Sequence, residues 1–198
     1  MKYINQLDYP DRLYVTRKNL EGEEREKGKF TTVRSSGCGL CAAIMAVDRL
    51  LPNSTFDLQV ALRLAYDTNS NHQVGTDYKI YAPALAEKLD LTLEVTDDPE
   101  RLRFCLQTGG AAVVHSRGDR DGYIGVFTHK GHYVTAIGVE PDGRIAILDP
   151  SYKPGKFDEE GRQGKVEIKN GELLVCDIQV LVDDADYRVN SFYLFWRK

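Results

Sequence analysis

The sequence predicts an α+β protein in which helices precede a mainly antiparallel sheet. Three observations carry this: an apolar segment of helical spacing over 40–51, an alternating apolar run from Leu91, and a hairpin signal, Pro141-Asp142-Gly143, between two apolar stretches. Residues 1–34 read as extended or irregular, and the charged patch EGEEREKGK at 21–29 as a solvated loop. Leu40, Ile44, Val47 and Leu51 then recur at helical spacing, and Pro52 closes the segment. Ala42, Ala43, Met45 and Ala46 make its other faces apolar too, so this helix is expected to be largely buried. A second helix follows Thr55 through Leu58, Leu62 and Ala65. A third covers about 83–89, with Pro83 in its first turn. Leu91, Leu93 and Val95 alternate as a strand, Asp98-Pro99 opens a short helix to about Gln107, and AAVVH at 111–115 reads as a strand. His132 to Val139 and Ile145 to Asp149 flank the turn. The segment 150–171, rich in Gly, Lys and acids, reads as a long hairpin or loop, 177–186 as helix, and Ser191 to Trp196 as strand. A single domain over 1–198 follows, with a helical lobe at about 35–90 and a β-rich lobe at about 91–198.

Composition narrows the function classes. The chain is 198 residues long, 42% hydrophobic and 28% charged, with a formal charge of −4. That balance gives no basic footprint for nucleic acid or an anionic membrane. No apolar run has the length of a membrane span, and MKYINQLDYPDRLYV lacks a signal-peptide core, so a cytoplasmic location is expected. Cysteines at 38, 41, 105 and 176 do not form a disulfide framework, which leaves Cys38 and Cys41 as the suggestive pair.

That pair lies in SSGCGLCAAIM, residues 35–45, and its two thiols have different settings. Cys38, between Gly37 and Gly39, falls at the start of the buried helix. Free N–H groups and the helix dipole there favour an anion and lower a thiol pKa. The flanking glycines let backbone or substrate approach the sulfur. Cys41 lies one turn further in among apolar residues and reads as core packing. A nucleophilic cysteine needs a base, and the base needs an orienting group. GHYVTAIG offers His132 at the start of an apolar strand, and LDPS offers Asp149 at the end of the next. Because side chains alternate faces, the two meet only if Asp149 pairs opposite an even-numbered residue such as Val134. A two-residue loop, Pro141-Asp142, achieves this. A three-residue loop separates them unless a bulge intervenes.

Gly-Cys-Gly before a small-residue helix, then Gly-His-Tyr, an apolar strand, an Asp-Gly turn and a closing Asp-Pro, resembles the papain-like cysteine peptidases. The similarity covers about residues 35–150 and is greatest to the bacterial leader-peptide-processing peptidases and their stand-alone relatives. It implies a papain-like fold, with Cys38 as nucleophile, His132 as general base and then acid, and Asp149 as orienter. It implies a peptide or amide substrate. Two positions depart from the family pattern. Gly39-Leu40 stands where members often have Gly-Pro. Thr32 stands six residues before the cysteine, where many carry a glutamine that helps form the oxyanion hole. Thr32, Ser35 and Ser36 are therefore the candidate oxyanion donors beside the Cys38 N–H.

Two other functions compete with the thiol hydrolase. A thiol–disulfide oxidoreductase using CGLC needs a reachable Cys41 and leaves His132 and Asp149 without a role. A catalytically silent papain-like domain that binds a peptide in the same cleft is suggested by the missing glutamine. His129 and His132 share an HxxH spacing that binds metal on a helix, but Lys130-Gly131 places them on a loop, so no metal or cofactor is expected. His115 ends a strand and reads as structural or cleft-lining. The acidic runs at 97–100 and 158–160 read as solvated surface. The sequence does not determine the oligomeric state.

Overall fold

A computed structural model gives the fold and describes residues 1–14, 31–72, 74–185 and 190–198. The charged patch at 21–29 lies outside the described residues. A 3-10 turn at Gln6–Asp8 opens the chain, with Asn5 Oδ1 accepting from Leu7 N–H at 2.9 Å. The helices are α1 (Val33–Ser36), α2 (Cys38–Leu50), α3 (Leu58–Asp67), α4 (Tyr78–Leu89), α5 (Pro99–Gln107) and α6 (Ile178–Ala185). The strands are β1 (Asn71–His72), β2 (Gly75–Thr76), β3 (Leu91–Thr96), β4 (Ala111–Ser116), β5 (His132–Val139), β6 (Ile145–Leu148), β7 (Val166–Asn170), β8 (Leu173–Cys176) and β9 (Phe192–Arg197). The protein is α+β. Strands β1 and β2 form a small hairpin, and the others form one sheet in the order β3-β9-β4-β5-β6-β8-β7, antiparallel throughout.

Side chains of the capping residues fix several helix starts. Asp57 accepts from Val60 N–H at 2.9 Å, Asp77 from Lys79 N–H at 3.0 Å, and Asp98 from Glu100 N–H at 2.8 Å. Helix α4 departs from the expected segment at 83–89. It begins at Tyr78, so Pro83 lies inside the helix rather than in its first turn. An interior proline costs about 3 kcal/mol of intrinsic helix stability. Burial of Tyr78, Tyr81, Ala82 and Leu85 against the core offsets it. Val33 and Arg34, expected to be extended or irregular, belong to the short α1, which leads directly into α2.

Both faces of the sheet are covered, which is why β6 is apolar throughout and β4 is apolar from Ala111 to Val114. One face carries Ala111, Val113, Tyr133, Ile137, Ala146 and Leu148 and packs with α2, α3 and α4. The other carries Ala112, Val114, Val134, Ala136, Ile145 and Ile147. It packs with Leu102, Cys105 and Leu106 of α5 and Leu181 and Ala185 of α6. Helix α2 is buried on all sides from Gly39 to Val47. Thr135 Oγ1 donates to its Ala42 carbonyl at 2.9 Å, tying α2 to β5.

The β5–β6 hairpin settles the register. The connection is a three-residue loop, 141–143, closed by Glu140 N–H to Arg144 O at 2.8 Å and Gly143 N–H to Glu140 O at 2.9 Å. Gly143 has φ 87°, the left-handed conformation such a loop requires at its last position. The expected two-residue loop is therefore not formed, and a three-residue loop alone would place His132 and Asp149 on opposite faces. A bulge at Ile137 corrects this: Gly138 pairs with Ala146, but Ala136 pairs with Ile147 and Thr135 with Leu148. One step further, 149 falls opposite 134. Arg49 Nε of α2 donates to the Ile137 carbonyl at 3.0 Å, satisfying an acceptor at the bulge.

Candidate active site

The structure brings Cys38, His132 and Asp149 together from three elements. Cys38 is the first residue of α2, half-buried, at the N-terminal end where unpaired N–H groups point outward. The His132 side chain and the backbone N–H groups of Tyr133 and Gly39 lie close enough to its sulfur to favour the thiolate. Gly39 is needed for packing: a Cβ there would lie 2.7 Å from Thr76 Oγ1 and 2.9 Å from the Tyr78 ring. The β1–β2 hairpin and α4 thereby press against the first turn of α2. Tyr78 Oη also donates to the Gly39 carbonyl at 2.6 Å.

His132 Nε2 lies 2.8 Å from Asp149 Oδ1 and 3.0 Å from Ser151 Oγ. The ring nitrogen left for the sulfur is Nδ1. Asp149 is fully buried, and its acceptors are all engaged. Oδ1 also accepts from Ser151 N–H at 2.8 Å and Ser151 Oγ at 3.1 Å, and Oδ2 accepts from Lys156 Nζ at 2.5 Å. Tyr3 Oη donates to the Asp149 carbonyl at 2.8 Å.

These contacts set the protonation states. Burial pushes the Cys38 thiol up, but hydrogen bonding and the charge of His132, with the two backbone donors, bring it below its ordinary value. Burial pushes His132 down, but Asp149 and the Cys38 sulfur raise it to about 9. Burial likewise opposes ionisation of Asp149, yet Lys156 and His132 hold its carboxyl well below the usual range. All three shifts favour a thiolate–imidazolium pair backed by a carboxylate.

A cleft of about 660 Å³ opens beside the sulfur, lined among others by Ser35, Ser36, His72, Thr76, His115 and Tyr133. His115 stacks on the Tyr133 ring with centroids 4.2 Å apart. Of the three candidate oxyanion donors, Ser35 and Ser36 line this cleft, whereas Thr32, the residue before α1, does not. The Ser35 hydroxyl donates to Thr32 O and accepts from Thr32 N–H, both at 3.0 Å, so it serves the helix start. A glutamine of the N-terminal segment is tied to the chain on both sides of this site. Gln6 is buried, its Nε2 donates to Arg34 O at 2.6 Å, and its backbone N–H donates to Pro150 O at 2.7 Å. It thus bridges the segment before Cys38 and the segment after Asp149.

The other sequence-selected groups fall elsewhere. Cys41 is fully buried in the α2 core, and burial followed by the charge of Cys38 pushes its thiol far up. His129 is exposed and bonds Asp119 Oδ2 and Glu159 Oε2, both at 2.9 Å, while His132 faces Asp149, so the HxxH pair does not converge. Among the described residues no group of three or more His, Cys, Asp or Glu converges for a metal ion, and no helix is long and apolar enough to cross a membrane. Sequence reasoning missed Gln6, Ser151 and Lys156. The INQLDYP and DPSYKPGKF segments that hold them carry no periodicity, and only their polar residues beside Pro and Gly turns set them apart. Comparison with protein-family models and with curated proteins returns no match.

Proposed function

We propose that the protein is a cysteine peptidase or related thiol hydrolase of papain-like architecture, cleaving a peptide or amide bond through an acyl-thioenzyme. The observation that carries this reading is the buried chain of contacts Cys38–His132–Asp149 at the N-terminus of α2, facing an open cleft. The Cys38 thiolate attacks the carbonyl carbon, and the carbonyl oxygen becomes an oxyanion. His132 gives its Nδ1 proton to the leaving amine, the C–N bond breaks, and a thioester remains on Cys38. Water, deprotonated by His132, then attacks the thioester. The carboxylic acid leaves, and the thiolate–imidazolium pair is restored. Asp149 holds the ring through Nε2 and stabilises the imidazolium.

The Cys38 backbone N–H is one oxyanion donor in this scheme, and the second N–H of the Gln6 amide is the other. That role fits a glutamine held at both sides of the site by Arg34 O and Pro150 O. It also weakens the case for a silent domain, which rested on the lack of such a residue near Thr32. The oxidoreductase reading is opposed by the setting of Cys41, whose thiol is pushed far up by burial and so supplies little of the thiolate that would resolve a mixed disulfide on Cys38.

The test is to incubate the protein with a mixed peptide library and measure its intact mass. The expected result is a hydroxylamine-sensitive adduct on Cys38, absent in Cys38→Ala and formed about 100-fold more slowly in Gln6→Ala, the size of effect one oxyanion donor carries. No adduct, together with ordinary thiol reactivity at Cys38, would overturn the proposal.

A further inference from the structure

Asp149 is held by more than the histidine it orients. Lys156 is buried, with 6% side-chain exposure, and its Nζ lies 2.5 Å from Asp149 Oδ2 and 2.7 Å from Ser151 Oγ. A buried lysine is uncommon unless paired, because removing an ammonium from water costs several kcal/mol. The surrounding loop is built to keep it there. Lys156 N–H donates to Lys153 O at 3.1 Å, and Arg162, itself buried, donates to Lys156 O at 3.3 Å and to Gly125 O at 2.8 Å. The next residue, Phe157, is buried edge-on to Phe127 with centroids 5.9 Å apart. The loop therefore delivers a cation to the side of Asp149 away from His132, and Ser151 bridges all three groups.

We infer that Lys156 is a positioning residue for the site, one that keeps Asp149 aimed at His132 and tempers how strongly His132 holds its proton. The inference rests on the Cys38–His132–Asp149 reading above. Its sign follows from charge alone. Asp149 raises the proton affinity of His132, and a cation on the far oxygen damps that effect. Removing the ammonium leaves the carboxylate, still bonded to His132 and Ser151, with its full charge. Among the described residues, these titratable and polar groups face the pair. Cys38 comes from α2, Ser151 and Lys156 from the loop, and Tyr3 from the N-terminal segment. Glu172 and Asp8 lie near Tyr3, and Lys130 and His115 lie on the cleft side.

The experiment is a histidine NMR titration of the full chain, with the His132 signal assigned by its loss in His132→Gln. Wild-type His132 is expected to titrate near the raised value of about 9. Lys156→Met is expected to move it upward by about one pH unit, and Lys156→Arg to leave it within a few tenths. If the methionine variant does not fold, Lys156→Gln gives the same readout with a polar, uncharged side chain. An unchanged or lower value in the uncharged variant overturns the inference. So does an equal shift in Lys156→Arg, which would mark a packing effect. A wild-type His132 that titrates near 6.5 overturns the underlying triad reading instead, so the two failures are distinct.

Discussion

Cys38 and Cys41 share one helix turn, one spacing motif and one residue type, yet their surroundings oppose each other. Cys38 stands where α2 begins, with backbone N–H groups and the His132 ring directed at its sulfur. Cys41 stands one turn inside, packed among the apolar residues of the same core cluster and fully buried. Burial acts on both thiols in the same direction. Only at Cys38 do fixed donors and a paired cation outweigh it. A CxxC motif is thus no chemical unit by itself: position relative to the helix end, and what a distant hairpin brings up against it, decide which thiol reacts.

The largest effect expected from this contrast is in alkylation. At neutral pH iodoacetamide should modify Cys38 at least about 100-fold faster than Cys41, read by peptide mass mapping, since only Cys38 is both reachable and partly thiolate. The rate at Cys38 should fall with acid through a midpoint below the ordinary thiol range. His132→Ala removes the hydrogen bond and the charge that lower the Cys38 pKa, leaving burial with less opposition. The midpoint should then move upward and the preference shrink. Equal labelling of the two cysteines in the native protein would break the comparison outright.

A smaller effect, but a more specific one, concerns Asp149. His132 is raised in the folded state, so the stability it contributes is present below its ordinary pKa and fades as pH climbs through about 9. Asp149 is lowered, so its contribution is present above the ordinary carboxylate range and fades as pH falls toward its folded pKa. Asp149→Asn removes the largest cause raising His132. In the proposed hydrolysis the alkaline limb, where the imidazolium is lost, should drop from near 9 by one unit or more. The variant should also lose the acid dependence that Asp149 gives to unfolding, measured by denaturant melts between about pH 2 and 5. An unmoved alkaline limb would show that Asp149 does not tune the ring.

The same contrast explains what could be read from the sequence. Helix α2 and strands β5 and β6 announce themselves because their apolar periodicity is local, and Cys38, His132 and Asp149 stand at the ends of those elements. The segments that complete the site have no such pattern. Gln6 is placed by a backbone bond to Pro150, and Lys156 by the packing of Phe157 and Arg162, so neither position exists until the fold has formed. The bulge at Ile137 is equally silent in sequence, because its acceptor is satisfied by Arg49 from another element. Pro83 misled for a related reason: tertiary burial of Tyr78 and Tyr81 extends α4 past a residue that local propensity would place at its start.

The smallest expected effect separates the two ends of the α2 turn most sharply. Thr135 Oγ1 donates to the Ala42 carbonyl, next to Cys41 and away from the thiolate. Thr135→Val keeps the shape and removes the donor, which should lower stability by about 1 kcal/mol in a denaturant melt. Cys38 alkylation should stay at the wild-type rate, because no group that lowers its pKa has been touched. The opposite profile is expected at the helix start, where His132→Ala changes reactivity far more than packing. If Thr135→Val slowed Cys38 alkylation several-fold, the clamp between α2 and β5 would have to be aligning the thiol with His132 as well as holding the core. The two cysteines would then be coupled through the register of the helix on the strand, not merely neighbours with different surroundings.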